Sequence, residues 1–402
     1  MRTRYQEKCM RYKEPLFIMV LLALMIFEIP YLNFFLIAPI IGFIYYSIFR
    51  RKKLGINYEI IILSIFISSY FLIDTTLIKS MTYKIFYTLS VICIYRNGRC
   101  VIYKGLSSYQ KSVKTEKIIR FISISYFIYV FISIIYSFQK GQFMISRNPL
   151  NIWNGELRAA THYGTMLILP VSYAIFVLFK ASKKSEKILG AFIITFAVIT
   201  SLMTASRTIL YVIPIGVFAC YYIDIKIQGK LTNKNFCGIV IFIVLIFIGI
   251  FIFESNIWGV QDKILSTQLG NRISNGQVSS LADDGRIKNI SYLFSHMGES
   301  LFGGGYTRRN SGWLHNIFLD TYDLSGIIPL IFLILYTITV IRNTKYILKS
   351  NMILNSTKVL IFIVLTLSLI QSLLEPIMES VPVFFWCIIY ISGLISNLKR
   401  YV

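Results

Sequence analysis

The chain has 402 residues, of which 56% are hydrophobic and 15% charged, with a formal net charge of +23. Its mean hydropathy of +0.66 is too high for a water-soluble globular protein of this length. The positive charge sits in short gaps between apolar runs, which marks membrane topology and argues against nucleic acid as a partner.

Runs long enough to cross a bilayer, about 20 residues each, recur along nearly the whole chain. Backbone groups in hydrocarbon have no outside partner, so each such run must be a helix. No period-two alternation indicates a barrel. The predicted class is an all-α polytopic membrane protein.

In chain order, the first apolar run, "PLFIMVLLALMIFEIP", lies where a signal peptide would. It has no small-residue cleavage site and leads almost directly into a second run, so it is taken as the first membrane helix. Polar gaps then delimit about twelve predicted spans: 15–30, 32–49, 58–74, 82–95, 119–138, 163–179, 188–204, 208–224, 236–254, 323–341, 359–374 and 381–397. Counting Lys and Arg in alternate gaps puts 29 of the 41 in the set containing both termini. By the positive-inside rule both termini are cytoplasmic. The organisation expected is a single transmembrane domain, 1–402, with one large external loop, 255–322, before the tenth span. A loop of that length among tight turns is usually functional or disordered, and its helix-like stretches favour an ordered cap. The six cysteines include no CxxC pair, and none falls in a predicted outer segment, so neither a disulfide framework nor a zinc site is expected.

Several outer positions carry residues that need an explanation. Arg207, in "LMTASRTILYVIP", lies between two apolar runs with almost no loop around it. Either it snorkels to the headgroups or it meets an anionic ligand; the setting alone leaves both open. Arg286 follows a DDG turn and opens a stretch in which Ile287, Ile290, Leu293 and Phe294 share a helical face. Asp283 and Asp284 read as a cap for that helix more readily than as a metal pair. The "GGG" at 303–305 allows a tight turn or close approach to a ligand, but no P-loop Lys-Ser/Thr follows it. His296 and His315 have no third partner at metal-ligand spacing, so no metal is expected. From His315 onward a helix would place Asn316, Asp320 and Asp323 on one face. Arginines suit diphosphate oxygens, and a histidine can exchange a proton near neutral pH. Together they fit group transfer from a lipid-linked diphosphate.

The ordered series "SRT" (206–208), Arg286, "SLFGGGY", "HN" (315–316), "DLSGIIPLIFLI" and "EPIMESVPVFFWCIIYISGLI" resembles the O-antigen polymerase and O-antigen ligase superfamily (Wzy-type polymerases and their ligase relatives). The topology resemblance spans the whole chain and the motif resemblance roughly 200–395. It implies a metal-independent, cofactor-free glycosyltransferase in a bacterial inner membrane, with its active site facing the periplasm or exterior. The implied donor is an undecaprenyl-diphosphate-linked oligosaccharide, with a chain-length regulator and a flippase of the same pathway as possible partners. Carried onto this chain, Arg207 and Arg286 would contact the diphosphate, and His315 would activate the acceptor hydroxyl or orient the reacting groups. Arg158 and His162, in "ELRAATHYG", would belong to the same outer cavity, although an asparagine expected near 162 is missing. Asn316 and Asp320 would contact substrate. A polymerase is preferred; a ligase acting on lipid A-core and a lipid-linked oligosaccharide flippase are the alternatives. Against the flippase stand nearly charge-free mid-spans and the lack of two related halves.

Overall fold

A computed structural model describes residues 17, 19–29, 34–50, 57–73, 80–102, 106–229, 255, 262, 265–267, 270 and 285–400. Among these, every regular element is a helix, and the one extended feature is an isolated antiparallel bridge between Leu150 and Leu157. The predicted span at 236–254, Asp283 and Asp284 lie outside the described residues, as does most of 255–284.

Seven of the described helices are long and apolar enough to cross a membrane: Ser108–Gln139, Ala160–Lys180, Lys184–Thr204, Thr208–Gln228, Ile327–Lys349, Asn355–Leu374 and Pro382–Lys399. Leu36–Ser47 and Tyr58–Ile73 are shorter apolar helices. The chain is therefore helical and multi-pass. The separation of the runs at 188–204 and 208–224 is present: Ala205, at φ 52°, stops the first helix in a left-handed residue, and Thr208 opens the next. The tenth predicted span, 323–341, differs. Gly326, at φ 85°, divides that region into Ile317–Ser325 and the spanning helix Ile327–Lys349. A Cβ at residue 326 would lie 2.6 Å from the Leu301 carbonyl oxygen, a constraint that hydropathy does not register.

Contacts divide the chain into two compact units, each assembled from segments distant in sequence. The first comprises residues up to 125, 288–354 and 376–402. In lipid no hydrophobic drive brings helix to helix, so close backbone approach and polar contacts carry much of the specificity. Met81–Cys100 and Pro382–Lys399 use such an approach: Gly98 lies against the Tyr390 backbone and Gly393 against that of Tyr95. Trp386, fully buried, meets Tyr87 edge-on at 5.0 Å. Glu59 is buried among apolar helices, where a carboxylate needs donors. It accepts from Asn57, from Tyr95 (2.9 Å), from Asn343 (2.7 Å) and from Ser396 (2.9 Å).

The second unit comprises 126–287 and 355–375. Ala160–Lys180 lies at its centre, with Leu167, Leu169, Val171 and Ala174 fully buried. Thr208–Gln228 crosses it at Gly216, where a Cβ would press on Ile175 and Leu367. At one end of this unit Lys180 pairs with Asp224. The turn between Thr204 and Thr208 lies at the other.

Candidate functional site

In the first unit the site is built around the loop that precedes Ile317–Ser325. Gly303, Gly304 and Gly305 all have positive φ, at 84°, 98° and 68°. The turn they form folds back on the following helix: Gly304 and Gly305 donate their N–H groups to the carbonyls of Leu324 (2.9 Å) and Asp323 (2.8 Å). A Cβ at 303 would lie 2.6 Å from the Leu324 oxygen, so only glycine fits. Asp323 is buried and organises what comes next. It accepts from the Ser300 hydroxyl (2.7 Å) and from the N–H groups of Thr307 (2.8 Å) and Arg308 (3.0 Å), holding the first turn of Tyr306–Asn310.

That anchorage presents Arg308. Its guanidinium donates to Glu379 at 2.7 Å and lies 3.4 Å above the Trp313 ring centre. The other Glu379 oxygen accepts from the Tyr70 hydroxyl at 2.6 Å. His315 follows with φ 55°, a left-handed conformation uncommon for a non-glycine residue, and is half-buried. Asn316 caps Ile317–Ser325, its side-chain oxygen accepting from Phe318 (2.9 Å) and Leu319 (3.1 Å). The Asn316 N–H in turn donates to Asp320 at 3.1 Å.

Asp320 has an unusual setting. Burial pushes its carboxyl up to about 7; the Asn316 N–H opposes this, Glu379 adds to it, and Arg308 and His315 pull it down. It lines a small cavity with Tyr70, Ile317, Thr321, Pro376, Met378 and Glu379. The cavity thus holds two carboxyls: Glu379, hydrogen-bonded by Arg308 and Tyr70, and Asp320, poised to exchange a proton near neutrality. A group like Asp320 suits acid–base work.

The arginines picked out in the sequence lie in the second unit. Arg286 donates to the Leu374 carbonyl (3.1 Å) and to Glu375 (2.9 Å), closing the C-terminal end of Asn355–Leu374. Arg207 is the half-buried cap residue of Thr208–Gln228, and its guanidinium forms no hydrogen bond or ion pair to a described residue. Arg158 is half-buried just after the Leu150–Leu157 bridge, its N–H donating to Pro149 at 2.8 Å. His162 is buried in the first turn of Ala160–Met166, edge-on to Tyr163.

A chain of contacts joins these positions. Gly164 faces the Ser206 side chain, next to Arg207; a Cβ there would lie 2.6 Å from the Ser206 hydroxyl. Thr165 accepts from Gln371 at 2.6 Å, and Gln371 lies one turn before Glu375, the partner of Arg286. Arg158, His162, Arg207 and Arg286 therefore occupy the same end of this unit. Three arginines gathered with Glu375, and with Glu156 two residues before Arg158, leave a positive surplus suited to an anion.

The structure brings His315, Asn316 and Asp320 together in the first unit, and the other four candidates together in the second. Arg308, Glu379, Tyr70 and Glu375 are not singled out by the sequence. A signal for two of them was available: the gap at 375–380 carries two glutamates and no Lys or Arg. The predicted face of Ile287, Ile290, Leu293 and Phe294 divides. Leu293 is buried and Ile290 packs beside it, whereas Ile287 and Phe294 are exposed, because the core here is a narrow cluster around Leu314 and Tyr322. Compared with known proteins, the chain matches no family model and no curated relative.

Proposed function

We propose that this chain is a membrane glycosyltransferase of the O-antigen polymerase type. It would move a growing glycan from a polyprenyl diphosphate to a sugar hydroxyl of a new lipid-linked repeat unit. The observation that carries this reading is the gathering of Arg158, His162, Arg207 and Arg286 at one end of the second unit. A diphosphate leaving group needs several fixed positive charges where its own charge develops, and arginine keeps its charge at every physiological pH. Glu375 holds the Arg286 guanidinium in place until the anion competes for it.

In the reaction, the acceptor hydroxyl oxygen forms a bond to the anomeric carbon of the donor glycan. The bond from that carbon to the diphosphate oxygen breaks, and the diphosphate leaves with the electron pair. The hydroxyl proton passes to a general base as the new bond forms. The basic end of the unit lies among gaps that the charge count assigns to the outer face.

The test is a gel profile of surface glycan from a host lacking this gene, beside an assay of its lipid-linked glycans. Core capped with a single repeat and no ladder supports the polymerase. Uncapped core with long polymer still on the carrier redirects the assignment to a ligase, and an unchanged ladder overturns glycan transfer altogether. On complementation, Arg207→Ala and Arg286→Ala are each expected to lower polymer formation by about 10²-fold or more, as for loss of one charge-stabilising donor. Membrane abundance should be unchanged for Arg207→Ala. Arg286→Lys, which keeps a cation beside buried Glu375, is the comparison for Arg286, and lysine at either position should restore only part of the activity because it lacks the planar fork.

A further inference from the structure

In the first unit, residues 294–302 expose four large apolar side chains: Phe294 (59%), Met297 (44%), Leu301 (41%) and Phe302 (79%). Four exposed apolar side chains within nine residues, alternating with the exposed polar Ser295 and Glu299, call for an amphipathic covering surface. Two observations identify it by depth. The Leu301 carbonyl accepts from the Ile327 N–H at 3.0 Å, and Ile327 is the first residue of a membrane-spanning helix. The exposed apolar face of that helix then begins at once, with Ile328 and Ile331. Phe302 and Ile328 are thus the chain neighbours of a hydrogen-bonded pair, Leu301 and Ile327, at the level where the span starts.

The segment is also held there. The Tyr322 hydroxyl donates to the Met297 carbonyl at 2.7 Å, and Leu293 is buried with Leu314 and Tyr322 in a cluster against which Ile327 and Leu330 pack. It cannot swing into water without opening that cluster. Its aromatic neighbours fit the same level: Tyr292 stacks on His296 at 4.2 Å and lies parallel to Tyr306 at 6.1 Å, as ringed polar-tipped side chains do at a membrane interface.

We propose that residues 294–302 form a bilayer-embedded rim, with Phe294 and Phe302 inserted at the boundary between headgroups and acyl chains. The partner is the lipid surface itself, and the consequence is that the Gly303–Gly305 turn and Arg308 are held at the level of lipid headgroups. This inference does not depend on the glycan-transfer reading.

The experiment uses the full chain with its native cysteines replaced by serine, reconstituted in phosphatidylethanolamine–phosphatidylglycerol vesicles. A bimane label is placed on Phe302→Cys, on Phe294→Cys, or on Arg309→Cys, an exposed position one short helix away. Each label is quenched in turn by a nitroxide near the top of the acyl chain and by aqueous iodide. The rim predicts several-fold stronger quenching by nitroxide than by iodide at 302 and 294, and the reverse at 309. Iodide quenching at 302 and 294 equal to that at 309 would overturn the proposal. Protection from both quenchers would also overturn it, because protein would then cover the patch. Both labelled residues are exposed, so monodisperse protein is expected, and agreement between the two sites guards against one perturbed variant.

Discussion

Asp320 joins stability to proton uptake through a single side chain. In an unfolded chain an aspartate titrates near 3.9; in the fold, burial pushes this one to about 7. Between those values the folded form keeps a proton that the unfolded form has released. Stability therefore falls as pH rises through that window and changes no further above it. Asp320→Asn cannot ionise and can still accept from the Asn316 N–H. Its thermal midpoint relative to wild type should therefore rise from pH 5 to pH 8. The gain is bounded at about 1.4 kcal/mol for each tenfold difference in proton affinity between the folded and unfolded carboxyl. An equal difference at both pH values would mean that the carboxyl is not protonated in the fold. The groups facing it, namely Glu379, Arg308, His315 and the Tyr70 hydroxyl, come from four separate segments. The "HN" at 315–316 marked the place in the sequence, but it could not show that Arg308 and Glu379 meet beside it.

Among the elements, Met81–Cys100 and Pro382–Lys399 show how membrane helices gain specificity without a hydrophobic drive. Gly98 and Gly393 let each helix touch the backbone of the other. Neither glycine has a positive φ, so an added methyl acts through contact and not through backbone strain. Gly98→Ala and Gly393→Ala should each cost at least about 1–3 kcal/mol, the range for overpacking a tight core. The measurement is the thermal midpoint in detergent. Gly285→Ala, which meets nothing within 4 Å, serves as the control and should move it little. The opposite case is the turn at 204–208, where Ala205 adopts a left-handed conformation without glycine. The buried Ser201 hydroxyl donates to the Ser206 carbonyl there, and the Ser206 N–H donates to the Ser201 carbonyl at 3.1 Å. Sequence periodicity located that break only by the arginine it exposes.

For the whole molecule, the distribution of charge predicts orientation. Lys183 belongs to a gap rich in basic residues and Arg309 to the opposite set, so cysteines placed at each should differ in accessibility. A membrane-impermeant maleimide applied to intact cells should label Arg309→Cys and leave Lys183→Cys unlabelled until the cells are opened. The reverse pattern would invert the topology and put the basic end of the second unit inside. What the sequence by itself determined is the helical, multi-pass character of the chain and the position of most described spans, because hydrocarbon admits no unpaired backbone and length alone sets a crossing. Arginine and histidine at the ends of apolar runs were visible for the same reason: a charge at that depth stands out against its neighbours. Tertiary structure decided the rest. Contacts such as Thr165 with Gln371, or Tyr70 with Glu379, join residues 206 and 309 positions apart, and two units each drawn from distant segments have no local pattern to announce them. The break at Gly326 and the state of the Asp320 carboxyl likewise depend on which atoms approach from other elements, a property of packing that hydropathy and spacing do not carry.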